Sequence, residues 1–127
     1  MANSQIWRTI MSSEDDLEKE IQAKGLNAPR LTPDLIDDVI IDEAFYVYPD
    51  TTFTVCLLTL RNGYQVIGES ACASPENFDV EIGRKIAKDN ARNKVWQLEG
   101  YLLKEKLSNM SNVEAAYQAF KKSLQLN

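Results

Sequence analysis

The sequence predicts an α+β fold: a three-stranded antiparallel meander followed by long C-terminal helices, with short helices ahead of the sheet. Two observations carry that expectation. Between residues 45 and 70, runs rich in β-branched and aromatic residues are broken by Pro49-Asp50 and by Asn62-Gly63, both of which are turn chemistry. From residue 82 onward the apolar residues recur every three or four positions, which is the period of a helix.

The elements follow in chain order. Ser12 and Ser13 precede an acidic first turn, Leu17 and Ile21 stand four apart, and Gly25 lies just beyond Lys24, the grammar of a short capped helix with a thin apolar face. Residues 1–28 therefore read as an N-terminal arm or short helix, and residues 29–127 as a single α+β ligand-binding domain. Thr32-Pro33-Asp34 places an N-cap hydroxyl before a first-turn proline, and Leu35, Ile36, Val39 and Ile40 give the helix that follows its apolar face.

Strands are expected at 45–48 and 53–60, and a third after Asn62-Gly63. A two-residue type I′ loop there pairs Arg61 with Tyr64, Thr59 with Val66, Leu57 with Gly68 and Val55 with Ser70 on one face, and leaves Cys56, Leu58, Leu60 and Ile67 on the other. The central strand is then apolar on both sides, which calls for cover on both, from its own helices or from another subunit. Pro75 or Asp79 opens the long helix, whose stripe of Ala87, Ala91, Val95, Leu98 and Leu102 carries it to about Lys106. Ser111 and Glu114 form a capping box ahead of a separate terminal helix bearing Val113, Tyr117, Phe120 and Leu124.

Composition narrows the chemistry. The 127 residues include no histidine, so the commonest general base and the commonest nitrogen ligand for zinc are both missing. Cys56 lies within an apolar strand and Cys72 has no basic neighbour in sequence, so both read as structural thiols in a reducing compartment. The clustered Asp37, Asp38, Asp42 and Glu43 read as a solvated edge, not as an acid–base pair. Neither a phosphate-binding loop nor a dinucleotide fingerprint is present, no apolar run spans a bilayer, and the net charge of −5 disfavours duplex nucleic acid and anionic membranes. The chain is expected to be soluble, to need no cofactor or metal, and to work by binding and not by catalysis.

One polar constellation stands out. Asn90, Arg92, Asn93 and Lys94 interrupt the apolar wrapping of the long helix, a few turns after Asn77 and Phe78, and Arg61 with Tyr64 sits at the hairpin. The plain reading is a set of surface amides and salt-bridging cations. The functional reading is a pocket in which a ring stacks a base, amides bond its edge and cations hold phosphates.

Several runs in this region also resemble a known family. They are Thr51-Thr52-Phe53-Thr54-Val55-Cys56, Leu60-Arg61-Asn62-Gly63-Tyr64, Gly68-Glu69-Ser70-Ala71-Cys72, Asn77-Phe78-Asp79, Glu81-Ile82-Gly83-Arg84 and Leu98-Glu99-Gly100-Tyr101-Leu102-Leu103. Together they resemble the small phage proteins that include the first-described Thoeris anti-defence proteins, over roughly residues 30–107. That resemblance implies a sponge that sequesters cyclic ADP-ribose signals made by bacterial TIR enzymes without cleaving them. It also implies a second ligand class, cyclic oligonucleotides, and ligand pockets between subunits of a homo-oligomer of even subunit number, a dimer or hexamer, in the cytoplasm of the infected bacterial host. On this reading Phe78 stacks, Asn90 and Asn93 read an edge, Arg61, Arg92 or Lys94 meets the pyrophosphate, and Asn77 is a further ligand-binding residue. The rival expectation is a phage accessory protein that docks on a host protein and inhibits or scaffolds it, through its N-terminal arm and apolar sheet face.

Overall fold

The computed structural model describes residues 14–26 and 28–125. Residues 14–23 form helix α1. Helix α2 (Pro33–Val39) leads into strands β1 (Ile40–Val47), β2 (Thr54–Leu60) and β3 (Gln65–Ser70). A 3₁₀ turn (Pro75–Asn77) then precedes helix α3 (Val80–Gln125). The expected caps at Ser12 and Ser13 lie outside the described residues.

Each start is set by the chemistry anticipated for it. Thr32 Oγ1 accepts the Leu35 amide at 3.1 Å, with Pro33 in the first turn of α2. Both candidate starts of the long helix are used in series: Pro75 opens the 3₁₀ turn, and Asp79 Oδ1 then caps α3 by accepting the Ile82 amide at 3.0 Å. β1 begins directly at Ile40, earlier than its aromatic run suggests, with a register irregularity between Ile40 and Asp42.

The sheet is the expected meander, ordered β1-β2-β3 and antiparallel throughout. Its second hairpin, however, departs from the type I′ expectation. Leu60 N donates to Tyr64 O at 2.7 Å and Gly63 N to Leu60 O at 2.8 Å, so the loop holds Arg61, Asn62 and Gly63. Only Gly63 is left-handed there, at φ +89°, which is the three-residue loop with a glycine bulge. Asn62 instead accepts the Tyr64 amide through Oδ1 at 3.0 Å.

The extra loop residue slips the pairing by one. Leu58 faces Val66, Cys56 faces Gly68, and Leu57 faces Ile67. Ile67 therefore moves to the face opposite Cys56 and Leu58.

α3 covers one face of the sheet. Ile36, Val39, Cys56, Leu58, Leu60, Val66, Ala87, Ala91 and Val95 make the core, all at most 7% exposed. Gly68 sets the distance between the layers: a Cβ there would stand 2.1 Å from both Ala87 O and Ala91 N, so only glycine lets the helix backbone lie on the strand. Among the described residues nothing covers the other sheet face, where Tyr46 and Ile67 are exposed and Leu57 is half-buried.

α3 is one helix of 46 residues, and no break separates a terminal helix. Nothing between Leu107 and Asn112 stops it, since that stretch holds neither glycine nor proline, and Glu114 accepts a hydrogen bond from Gln118 at 2.8 Å instead of closing a capping box. Past Leu107 every described residue of α3 is exposed.

Candidate functional site

The structure distributes the polar constellation over four places. Asn77 and Phe78 lie at the start of α3, where they line a cavity of about 30 Å³ with Ser70, Cys72 and Gly83. Phe78 is half-buried, and its Cε2 packs over Gly83, 3.5 Å from where a Cβ would sit. Nearby, Thr52 Oγ1 donates to Cys72 O at 2.6 Å and accepts from its amide at 3.2 Å, which clamps the β1–β2 loop to the segment after β3. A cavity of this size holds a water molecule, so a larger ligand would rest at its mouth.

Asn90 and Lys94 serve the sheet. Asn90 Nδ2 donates to Glu69 O at 2.8 Å and Lys94 Nζ to Ile67 O at 2.6 Å, so one amide and one ammonium close the outer carbonyls of edge strand β3. Helical spacing of four puts both on the side of α3 that passes β3.

Arg92 and Asn93 face the other way, toward α1 and α2. Arg92 Nε reaches both carboxylate oxygens of Glu14 at 3.2 and 3.0 Å, and its other nitrogens bond Asp37 Oδ1 at 2.6 Å and Pro33 O at 3.2 Å. Trp96 Nε1 also donates to Glu14. Burial works against the Arg92 charge, yet Asp37 and Glu14 together hold its pKa above the ordinary arginine value. Asn93 lines a groove of about 300 Å³ with Leu17, Leu31 and Trp96.

Arg61 sits at the β2–β3 hairpin, at the far end of β2 from Phe78. Seven strand residues separate those ends, roughly 20 Å at about 3.3 Å per residue. Arg61 shares its groove with Asn62, Glu99, Leu102 and Lys106. Among the described residues, Asn77 and Phe78 share a pocket, Arg92 and Asn93 lie on adjoining grooves, and none of these cavities holds a ring, an edge-reading amide and a cation together.

Asp89 was not anticipated. It is 7% exposed, lines a groove with Glu14, Asp37, Lys88 and Arg92, and its Oδ2 finds no hydrogen-bond partner among the described residues. Desolvation first, then the charge of Glu14, raises its pKa. The signal was in the stripe Ile82, Ile86, Asp89, Asn93, Trp96, where a carboxylate and an amide stand at positions whose spacing calls for apolar residues.

The thiols behave as structural groups. Cys56 is fully buried and burial pushes its pKa up to about 11, so little thiolate exists at neutral pH. Cys72 donates to Ser74 O at 3.2 Å. Among the described residues no cluster of metal-ligating side chains occurs, and no helix is long and apolar enough to cross a membrane.

No curated protein and no solved structure matches the chain. A family profile does match, over residues 31–107, which is more than half of the sequence. Its span takes in α2, the sheet and α3 as far as Leu107, the last residue of α3 that the body partly buries. The chain therefore belongs to the phage protein (N4 Gp49/phage Sf6 gene 66) family.

Proposed function

We propose that this phage protein is a sponge: it captures a cyclised ADP-ribose signal of a bacterial TIR enzyme, in the host cytoplasm, and releases it uncleaved. The observation that carries this reading is the placement of Asn77 and Phe78 at the mouth of a cavity beside the first turn of α3. The outward face of Phe78 offers a stacking surface for a base, and exposed Asn77 offers both a donor and an acceptor for its edge. The first-turn amides of Val80 and Glu81 have no intrahelical acceptor, and the helix dipole makes that turn favourable to a phosphate.

The mouth is shallow in one chain, so a second subunit supplies the remaining wall, in a homo-oligomer of even subunit number. Asn90 and Lys94 are not contacts in this arrangement, because β3 already occupies them. Arg92 is held by Glu14 and Asp37, and Asn93 and Arg61 lie too far from Phe78 to join it within one chain. Cyclic oligonucleotides are the second ligand class, with the same needs of stacking and phosphate contact.

A sponge acts only by affinity, and nanomolar binding corresponds to about −12 kcal/mol. The test is Phe78→Ala, measured by calorimetry with cyclic ADP-ribose isomers and by thermal melting. Loss of the ring is expected to weaken binding by about 1–3 kcal/mol, as for a base stacked on an aromatic side chain. Because the ring is only half-buried, stability should fall by less than the 3–5 kcal/mol of a core phenylalanine. A large fall in melting temperature with unchanged affinity would reject Phe78 as a ligand contact.

The open sheet face favours one other reading, a protein that docks on a host polypeptide through Tyr46, Leu57 and Ile67. Affinity purification from infected cells separates the two. The sponge brings down a nucleotide absorbing near 260 nm, roughly the range of any purine base stacked in such a site, and the docking protein brings down a host chain.

A further inference from the structure

We infer that the groove between the first turn of α1, α2 and the middle of α3 is a binding site for a small polyamine, with the buried carboxylate of Asp89 receiving one of its ammonium groups. The groove shares no residue with the cavity of Asn77 and Phe78, so this goes beyond the sponge reading and does not rest on it.

The first observation is Asp89 itself. It is 7% exposed, lines a groove of about 480 Å³, and its Oδ2 finds no hydrogen-bond partner among the described residues. An ionised carboxylate accepts hydrogen bonds on both oxygens and donates none, so this one lacks a partner that brings N–H groups and positive charge. The cations beside it are committed to other acceptors. Arg92 gives its nitrogens to Glu14, Asp37 and Pro33 O, and Lys88 Nζ reaches Glu43 Oε2 at 2.7 Å. Desolvation, and then Glu14, accordingly hold the Asp89 carboxyl above its ordinary pKa, and the pull of Arg92 and Lys88 offsets that only in part.

The second observation is the charge of the groove and the way it is spread. The five carboxylates of Glu14, Asp15, Asp34, Asp37 and Asp89 line it against three cations, which leaves it negative, and Asp15 and Asp34 are exposed. These carboxylates come from three helices, so they surround the groove instead of converging on a point. A hard divalent ion needs several oxygens at one point, and no such cluster occurs among the described residues. A flexible chain of ammonium groups suits the arrangement, because each group carries its own charge and N–H donors and finds its own carboxylate. The groove is of the size of small-ligand sites, with Asp89 as its buried anchor and Asp34 as an exposed one.

Calorimetric titration of the full chain with spermidine, at neutral pH and low salt, tests this. Saturable one-to-one binding is expected, and Asp89→Asn should weaken it by about tenfold or more through loss of a charge-assisted hydrogen bond. That substitution keeps the shape of the side chain, and circular dichroism should show the fold retained. Asp34→Asn, at an exposed position, should weaken binding by less, about two- to threefold. Glu105→Gln, exposed on α3 outside the groove, should leave it unchanged. No saturable binding of spermidine, or equal affinity in Asp89→Asn, would overturn the proposal. Equally tight binding of Nα-acetyl-lysine amide, which carries a single ammonium, would assign the groove to a lysine side chain of another protein and overturn the polyamine. Displacement of spermidine by magnesium at equal charge would reduce the effect to screening of surface carboxylates, and would overturn it as well. No nucleotide enters these titrations, so their outcome is separate from that of the sponge.

Discussion

Asp89 shows how one side chain can work against the fold that holds it. A carboxylate 7% exposed, with one oxygen unpaired and Glu14 nearby, is easier to bury protonated than charged. Its folded pKa lies above the unfolded value of about 3.9, so the native state binds the extra proton. The contribution of Asp89 to stability is therefore fully present below that unfolded value and is lost as pH rises through the folded one. Asp89→Asn keeps the shape without the charge. It should raise the melting temperature at pH 7, by an amount on the order of 1 kcal/mol in stability, and the gain should shrink as the pH approaches about 4. Melting curves for both proteins across that range measure it, and a difference independent of pH would mean that folding does not raise the pKa of Asp89. At this scale the sequence was read well for caps and thiols, because Thr32, Asp79 and Cys56 act through neighbours close in sequence or through their own strand. The partners of Asn90, Lys94 and Arg92 were not legible, since they lie 21, 27 and up to 78 residues away.

Between elements, the decisive contact is backbone on backbone. Gly68 admits the carbonyl of Ala87 and the amide of Ala91, and neither can move aside without unwinding α3. Gly68→Ala is expected to cost about 3 kcal/mol or more, because the whole helix must lift from β3. Gly63→Ala should cost only about 1–2 kcal/mol, for a side chain at φ +89° with open space around it. Chemical denaturation of the two variants compares them, and similar losses would mean that the layers have slack at Gly68. The alternation of β2 and the stripe of α3 made both elements legible from the sequence. The register was not, because the choice between a two-residue and a three-residue loop turns on the backbone of Asn62, and asparagine is at home in either. One residue of slip then exchanged the faces of the third strand and put Ile67 in the open. The continuity of α3 was hidden in a similar way, since Ser111 and Glu114 suit a helix interior as well as a cap when nothing before them stops the helix.

At the scale of the whole molecule, the body ends where the family match ends, at residue 107, and the rest of α3 projects. Among the described residues its exposed apolar side chains are divided between one face of the sheet and the projecting end of α3. The fold class was legible because strand and helix periods are local properties of the sequence. Of the residues singled out in the sequence, Asn77 and Phe78, two neighbours in the chain, line one cavity together; a site assembled from separate elements, or from separate copies, leaves no period to read. The sponge reading rests on that pair, on the first turn of α3 and on the resemblance of the body to anti-defence proteins. Its most direct test is to mix the purified protein with cyclic ADP-ribose isomers and cyclic oligonucleotides, remove the unbound fraction, denature the protein by heat, and weigh the released nucleotide by mass spectrometry. The account expects one of these signals to be depleted in proportion to protein and recovered with its mass unchanged. Recovery of a linear product, or no depletion of any of them at micromolar protein, would contradict it.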